Sequence, residues 1–308
     1  MNKKYIAVLI IALFAVVISV VFLFRDNSSK RDEYSGKISV AASFYPLYFF
    51  AGEIGGDNAE VFNITPYGAE PHDYEPTVRD ITKIEKSQLL IIIGGLESWG
   101  DKIKQSVSGR KIVIVYTGEG LTRGDIVQSG KEITDYHIWL SPILASQMAD
   151  KILEGFVKAD PNNAFYYRAN AETLKLKLNN LDAKYKQGLA VCENRNIITS
   201  HSAFGYLAST YNLKQIPIAG LSPDAEPSSR QLAMITDFAK EHNVKVIFFE
   251  SLVSPKLSQT IAAEVGAYTS VLDPIEGLVH DDKVAGKNYF DLMEQNLSNL
   301  IGALQCTL

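Results

Sequence analysis

Three of the five histidines in this 308-residue chain share a setting that suits chemistry. His72 lies in Gly68-Ala69-Glu70-Pro71-His72-Asp73-Tyr74-Glu75-Pro76-Thr77, a loop hemmed by two prolines. His137 lies in Asp135-Tyr136-His137-Ile138-Trp139-Leu140-Ser141-Pro142, and His201 follows the apolar run Ile197-Ile198-Thr199. Each stands just before a helix signal, at the kind of junction that forms the carboxyl edge of a parallel α/β sheet, where ligands bind. Two acids end further strand-like runs: Glu250 after Val246-Ile247-Phe248-Phe249, and Asp273 in Val271-Leu272-Asp273-Pro274. Three neutral imidazoles and one carboxylate make a tetrahedral donor set suited to Zn(II). The expected ligands are therefore His72, His137, His201 and Asp273. A metal-bound imidazole needs its other N–H held, and Glu250 is the expected partner. The same groups admit a zinc hydrolase, with an open fourth position and Glu250 as base. Against that reading, Asp273 can fill the fourth position, and no His-Glu-x-x-His signature is present.

The remaining candidates carry less. His242 reads as a helix C-terminal residue favoured by the dipole, and His280 as a solvated loop residue. Tyr74 and Trp139 read as walls of the cleft. Cys192 and Cys306 allow one disulfide, which the sequence neither requires nor forbids, and they exclude a cysteine-based zinc finger.

Residues placed this way need strands feeding helices, and the chain alternates accordingly. Strands are expected at Ile38–Ala42, Leu89–Ile93 and Lys111–Tyr116, then at Asn196–Thr199, Gln215–Ala219, Val244–Phe249 and Tyr268–Leu272. Helices are expected at Pro46–Ile54, from Thr77-x-x-Asp80 to Lys86, from Ser141-Pro142 to Lys158, and at 203–211, 228–241, 256–265 and 288–304. Between the two blocks runs a long helix, Asn162 to Gly188, free of internal proline and glycine. Phe165, Tyr166, Ala169, Leu174, Leu178, Leu181 and Tyr185 are its expected apolar stripe. A helix that long reads as a rigid connector, so only limited hinge closure is expected. The fold class is α/β: two lobes, each with a mainly parallel sheet flanked by helices, joined by one rigid helix. The expected boundaries are 37–159, 160–190 and 191–308.

Composition agrees with this and narrows it. With 30 basic and 35 acidic residues the net charge is −5, which argues against a nucleic-acid partner. Mean hydropathy of +0.01 is high for a soluble protein. The cause is Ile6 to Phe24, 19 residues with only Ser19 polar, behind Lys3 and Lys4. That run is long enough to span a bilayer as a helix. The flanking lysines keep the N-terminus inside and export the rest. Residues 1–25 are therefore expected to be a signal anchor, with a cleaved signal as the alternative, and 26–36 a polar tether. The body is expected to work outside the cytoplasmic membrane.

Taken together, the motifs resemble a known family. They are Glu70-Pro71-His72-Asp73-Tyr74-Glu75-Pro76, Asp135-x-His137-x-Trp139-Leu140, Ser200-His201-Ser202-Ala203-Phe204-x-Tyr206, Ser222-Pro223-x-x-Glu226-Pro227-Ser228, Phe249-Glu250, Leu272-Asp273-Pro274 and Tyr289-x-x-x-Met293-x-x-Asn296-Leu297. From Ile38 to Leu304 the chain is similar to the zinc/manganese-type substrate-binding proteins of bacterial ABC importers, whose lobes are joined by one rigid helix. The resemblance implies metal ligands at the positions matching His72, His137, His201 and Asp273, with an acid at Glu250. It implies a membrane permease and its cytoplasmic ATPase as partners, and no catalysis. Manganese binders of this kind tend to carry glutamate where His201 stands; a third imidazole favours Zn(II) as the transported ion. Many zinc members also carry a His-rich loop before the second histidine, whereas Thr117 to Thr134 holds no histidine. Adhesion on the same fold has no independent support in the sequence. Because imidazole ligands must be neutral, binding is expected to weaken as pH falls through about 6.

Overall fold

The computed structural model describes residues 36–128, 131–223 and 227–307. The expected anchor (1–25), all but the end of the expected tether, and Glu226 lie outside the described residues. Among the described residues, no helix is long and apolar enough to cross a membrane.

Short apolar runs punctuated by helices build a first sheet from β1 (Ile38–Ala42), β2 (Ala59–Asn63), β3 (Leu89–Ile92) and β4 (Val113–Tyr116). Its helices are α1 (Tyr45–Gly55), α2 (Val78–Lys86) and α3 (Gly100–Ser106). The strands lie in the order β2-β1-β3-β4, all parallel. Every residue of β3 is buried, the reason it reads as an unbroken apolar run. The expectations missed β2, an edge strand whose Glu60 and Asn63 break the apolar pattern. α2 starts on a full capping box: Thr77 Oγ1 accepts from the Asp80 N–H, and Asp80 Oδ2 accepts from the Thr77 N–H.

A hairpin follows, β5 (Arg123–Gln128) with β6 (Lys131–Asp135), antiparallel and also unforeseen. Then come α4 (Pro142–Ala159) and α5 (Ala164–Gly188). Ser141 stands at the N-cap of α4 without capping it; its hydroxyl pairs instead with Thr210 Oγ1 at 3.3 Å. α5 is 25 residues long, or roughly 37 Å at the rise of an α-helix. Its buried face is Tyr167, Ala171, Leu174, Leu178, Leu181 and Tyr185, spaced alternately by four and three residues. The expected stripe was out of phase in the first two turns, since Phe165 is 86% exposed. Tyr167 takes the inward place because its hydroxyl donates to Asp160 at 2.7 Å and its ring meets Phe156.

The second half comprises β7 (Val191–Cys192), β8 (Asn196–Thr199), α6 (Gly205–Thr210), β9 (Lys214–Pro217), α7 (Ser229–Glu241), β10 (Val246–Phe249), α8 (Lys256–Val265), β11 (Tyr268–Val271), α9 (His280–Val284), α10 (Tyr289–Ala303) and β12 (Cys306–Thr307). Its main sheet runs β11-β10-β8-β9, again all parallel. Counted within each half, the two sheets have the same order: second, first, third, fourth. β12 pairs antiparallel with β7, with Cys306 opposite Cys192, and the two form the disulfide that the sequence left open.

One apolar core joins the halves. It runs from Val40 and Leu89 through Leu174, Leu178 and Tyr185 of α5 to Ile197, Phe248 and Tyr289. Burial of each of these leucines contributes about 1.5–3 kcal/mol. A connector packed into the core on one face along most of its length has little freedom to bend as a hinge.

Candidate metal centre

The carboxyl edges of both sheets converge on a buried group of His72, His137, His201 and Glu276. One donor atom from each lies within 4.8 Å of every other. His72 comes from the loop after β2, and His137 from the turn that leaves the hairpin. His201 stands two residues past β8, and Glu276 five past β11. His137, His201 and Glu276 are buried; His72 is the ring that solvent reaches, its side chain 14% exposed.

The separations fit a small tetrahedral cation. Glu276 Oε1 lies 3.1 Å from His72 Nε2, 3.0 Å from His137 Nε2 and 3.7 Å from His201 Nε2. The Nε2 atoms of His137 and His201 are 3.3 Å apart. A tetrahedron with metal–nitrogen distances of roughly 2.0–2.1 Å has edges of roughly 3.3 Å. The four edges above straddle that value.

Carboxylates fix the outer nitrogens of two rings. His137 Nδ1 donates to Asp135 Oδ1 at 2.8 Å, and the same oxygen accepts the His137 backbone N–H at 2.9 Å. His201 Nδ1 donates to Glu250 Oε1 at 2.6 Å, with its backbone N–H on that oxygen at 3.1 Å. Holding the proton on Nδ1 turns the Nε2 lone pair toward the centre. Asp135 is steadied in turn from the second half. Tyr206 donates to its carbonyl at 2.9 Å, and Gly205 leaves room where a Cβ would meet Asp135 Oδ2 at 2.9 Å.

Protons compete for the same nitrogens. Burial opposes a charge on His201, but Glu250 and then Glu276 outweigh it and raise its pKa to about 10. His137 is likewise raised, against burial, by hydrogen bonds to Asp135 and Glu276. Burial would raise Glu276, yet hydrogen bonds from His137, His201 and His72 hold it well below the usual carboxylate range. Glu70 goes the other way: burial, then the charge of Glu276, pushes it up to about 9. The expected pH window near 6 therefore moves upward, because the imidazoles sit among acids rather than in water.

The structure sets one of the expected ligands apart from this group. Asp273 is not in the converging group, although it is buried close by. Its Oδ1 accepts the Ile275 backbone N–H at 2.7 Å. The carboxylate is turned into its own loop, and the acid three residues on enters the group. No residue pattern marked Glu276. It sits between apolar Ile275 and Leu278, five residues past the end of β11. Asp135 and Glu70 stood inside quoted motifs without a role assigned. Trp139 is fully buried, with its ring 5.2 Å from that of His137. Tyr74 does not wall the site; it donates to Asp80 at 2.7 Å beneath α2. His242 is the C-cap residue of α7, its ring against Phe238, and His280 is exposed at the start of α9.

Chemically the group is closed. Glu276 takes the fourth corner that a hydrolase would keep for water, and Glu250 is committed to His201 rather than poised as a base. Two like parallel sheets, joined by a packed helix and ending on one closed histidine–carboxylate group, define a solute-binding protein for a divalent metal ion. The family described as zinc-uptake complex component A, periplasmic (ZnuA), matches residues 40–303, and the chain belongs to it. It is 39% identical to the high-affinity zinc uptake system protein ZnuA of Bacillus subtilis over 90% of this chain and 92% of that one. It is 34% identical to the zinc-binding protein AdcA of Streptococcus pyogenes over 94% of this chain, which spans 60% of that longer protein. Its structure resembles the Zn(II)-bound ZnuA-like domain of Streptococcus pneumoniae AdcA, with a TM-score of 0.75 and 34% identity over 87% of this chain and 99% of that one.

Proposed function

We propose that the chain is the extracytoplasmic receptor of an ATP-driven zinc importer. It captures Zn(II) through Nε2 of His72, His137 and His201 and a carboxylate oxygen of Glu276, then passes the ion to a membrane permease driven by a cytoplasmic ATPase. The observation that carries this reading is the set of four donor separations, 3.0, 3.1, 3.3 and 3.7 Å, around one centre. Zinc is preferred over manganese because three of the four donors are imidazole nitrogens, where a second carboxylate would suit the harder ion. The chemistry is coordination and release, with no bond broken, so the protein is not an enzyme. The apolar run from Ile6 to Phe24 supports attachment at the membrane, which would keep the receptor near its permease.

Titration calorimetry of the full-length protein with Zn(II) and Mn(II) tests the reading. Zinc is expected to bind more tightly; tighter manganese binding overturns the zinc assignment. Mass spectrometry of the protein from membranes tests the attachment: a mature chain lacking residues 1–24 rules out the anchor.

A further inference from the structure

The loop that brings Glu276 to the imidazoles contains an unusual residue. Ile275 has φ +58° and is fully buried. A positive φ at a β-branched residue is a genuine outlier, and such strain persists only where the surroundings hold it. Pro274 precedes it, and a position of positive φ is one that glycine or asparagine ordinarily takes. Isoleucine stands there because its side chain belongs to the main core. Something else must hold the backbone.

Three contacts do so. Asn296 of α10 grips the peptide groups of Asp273, with Oδ1 accepting its N–H at 2.8 Å and Nδ2 donating to its carbonyl at 2.7 Å. Trp139 Nε1 donates to the Pro274 carbonyl at 2.7 Å. Pro274 has no N–H, so the first amide within reach of the Asp273 carboxylate is that of Ile275, and Oδ1 accepts it at 2.7 Å. Trp139 and Asn296 hold the residues before Ile275. Among the described residues, Asp273 is the hydrogen-bond partner of the Ile275 backbone itself, whose side chain packs in the core.

We infer that Asp273 is a positioning residue for the metal centre: its carboxylate holds the left-handed turn at Ile275 that presents Glu276 to the three imidazoles. The inference rests on the zinc-receptor reading and adds to it a device for placing the fourth ligand. It separates two adjacent acids by role, since a ligand must supply its charge, whereas a positioning acceptor need supply only an oxygen.

That difference makes the test. Asp273→Asn keeps Oδ1 as an acceptor for the Ile275 amide and removes the charge, whereas Asp273→Ala removes both. Zinc affinity of the full-length protein is measured against a chromophoric chelator, and the visible spectrum of the Co(II)-loaded protein reads the coordination number. Asp273→Asn is expected to stay within about threefold of the unmodified protein, with the tetrahedral Co(II) bands kept. Asp273→Ala is expected to bind zinc about 10–100-fold more weakly, as for loss of an outer partner of a ligand, with weaker Co(II) bands as Glu276 withdraws. Loss in Asp273→Asn as deep as in Glu276→Gln makes Asp273 a ligand and overturns the inference, even if the alanine variant does not fold. Unchanged affinity in a folded Asp273→Ala overturns it as well. Failure of the unmodified protein to bind zinc overturns instead the receptor reading beneath it.

Discussion

The two halves repeat one topology, and their central strands end on the same construction with different outcomes. β1 and β8 occupy corresponding places, as do β3 and β10. Just past β1, Ser43 donates to Glu97 beyond β3 at 2.6 Å. Just past β8, His201 donates to Glu250 beyond β10, also at 2.6 Å. Both acids also accept backbone amides: Ile93 and Gly94 for Glu97, His201 itself for Glu250. A serine has one hydroxyl, and the brace consumes its proton. An imidazole braced through Nδ1 still has Nε2 to offer. The second sheet thus supplies a donor directly from its central strand. The first has a structural brace at that place, so His72 and His137 arrive on longer excursions from β2 and through the hairpin.

The comparison can be broken most forcefully at His201. His201→Ala is expected to lower zinc affinity by more than the ~100-fold upper range for outer partners, measured by chelator competition. A small loss would show that the second sheet's central strand is not essential to the centre. The paired acids provide the next test. Glu250→Gln keeps the oxygen on His201 but removes the charge that raises the basicity of this ligand ring. It is expected to weaken zinc binding about 10–100-fold with little change in unfolding midpoint. Glu97→Gln leaves the Gly94 amide facing an NH₂ group and is expected to cost about 1–3 kcal/mol of stability in urea unfolding, with zinc affinity unchanged. Equal effects on affinity would erase the distinction between site and brace.

A third test uses protons. His201 is buried, which opposes its charge, yet Glu250 and Glu276 raise its pKa to about 10. Zinc must displace that proton, so apparent affinity falls as pH falls, by about tenfold per unit for each proton displaced. The rise with pH is expected to continue above pH 7, whereas unperturbed imidazoles would level off above about 6.5. Calorimetry across pH 6 to 9 decides it, and a plateau from pH 7 would contradict the carboxylate-held proton. The smallest effect is expected at the bond that lets the second half steady the first. Tyr206→Phe removes the donor to the Asp135 carbonyl and is expected to cost about 0.5–1.5 kcal/mol, read from urea unfolding. No change would mean that Gly205 and the core position the hairpin exit without it.

Much of this was legible along the chain because its cause is local. Unbroken apolar runs marked β3 and β10, Thr77-x-x-Asp80 marked the start of α2, and His72 and His201 stood at junctions that a parallel sheet turns toward one edge; His137 instead leaves an antiparallel hairpin. Other features were illegible because their cause is distant. In edge strand β2 the polar Glu60 and Asn63 interrupt the apolar run, and Tyr167 faces inward because Asp160 and Phe156 meet it there. The brace between Ser43 and Glu97 joins residues 54 apart, and nothing in either neighbourhood announces it.

Asp273 and Glu276 mark the boundary between the two kinds of information. The sequence by itself determined an α/β chain, an apolar N-terminal run, three imidazoles in segments that precede helices and an acid after the last strand of the sheet. Only the tertiary structure decided which acid meets the imidazoles. Local preference disfavours a positive φ at an isoleucine. That preference is overruled by the Asp273 carboxylate on the Ile275 amide, with Asn296 of α10 and Trp139 holding the residues before it. Residue types fix what a side chain can bind; where it points depends on backbone angles that packing from far along the chain can impose.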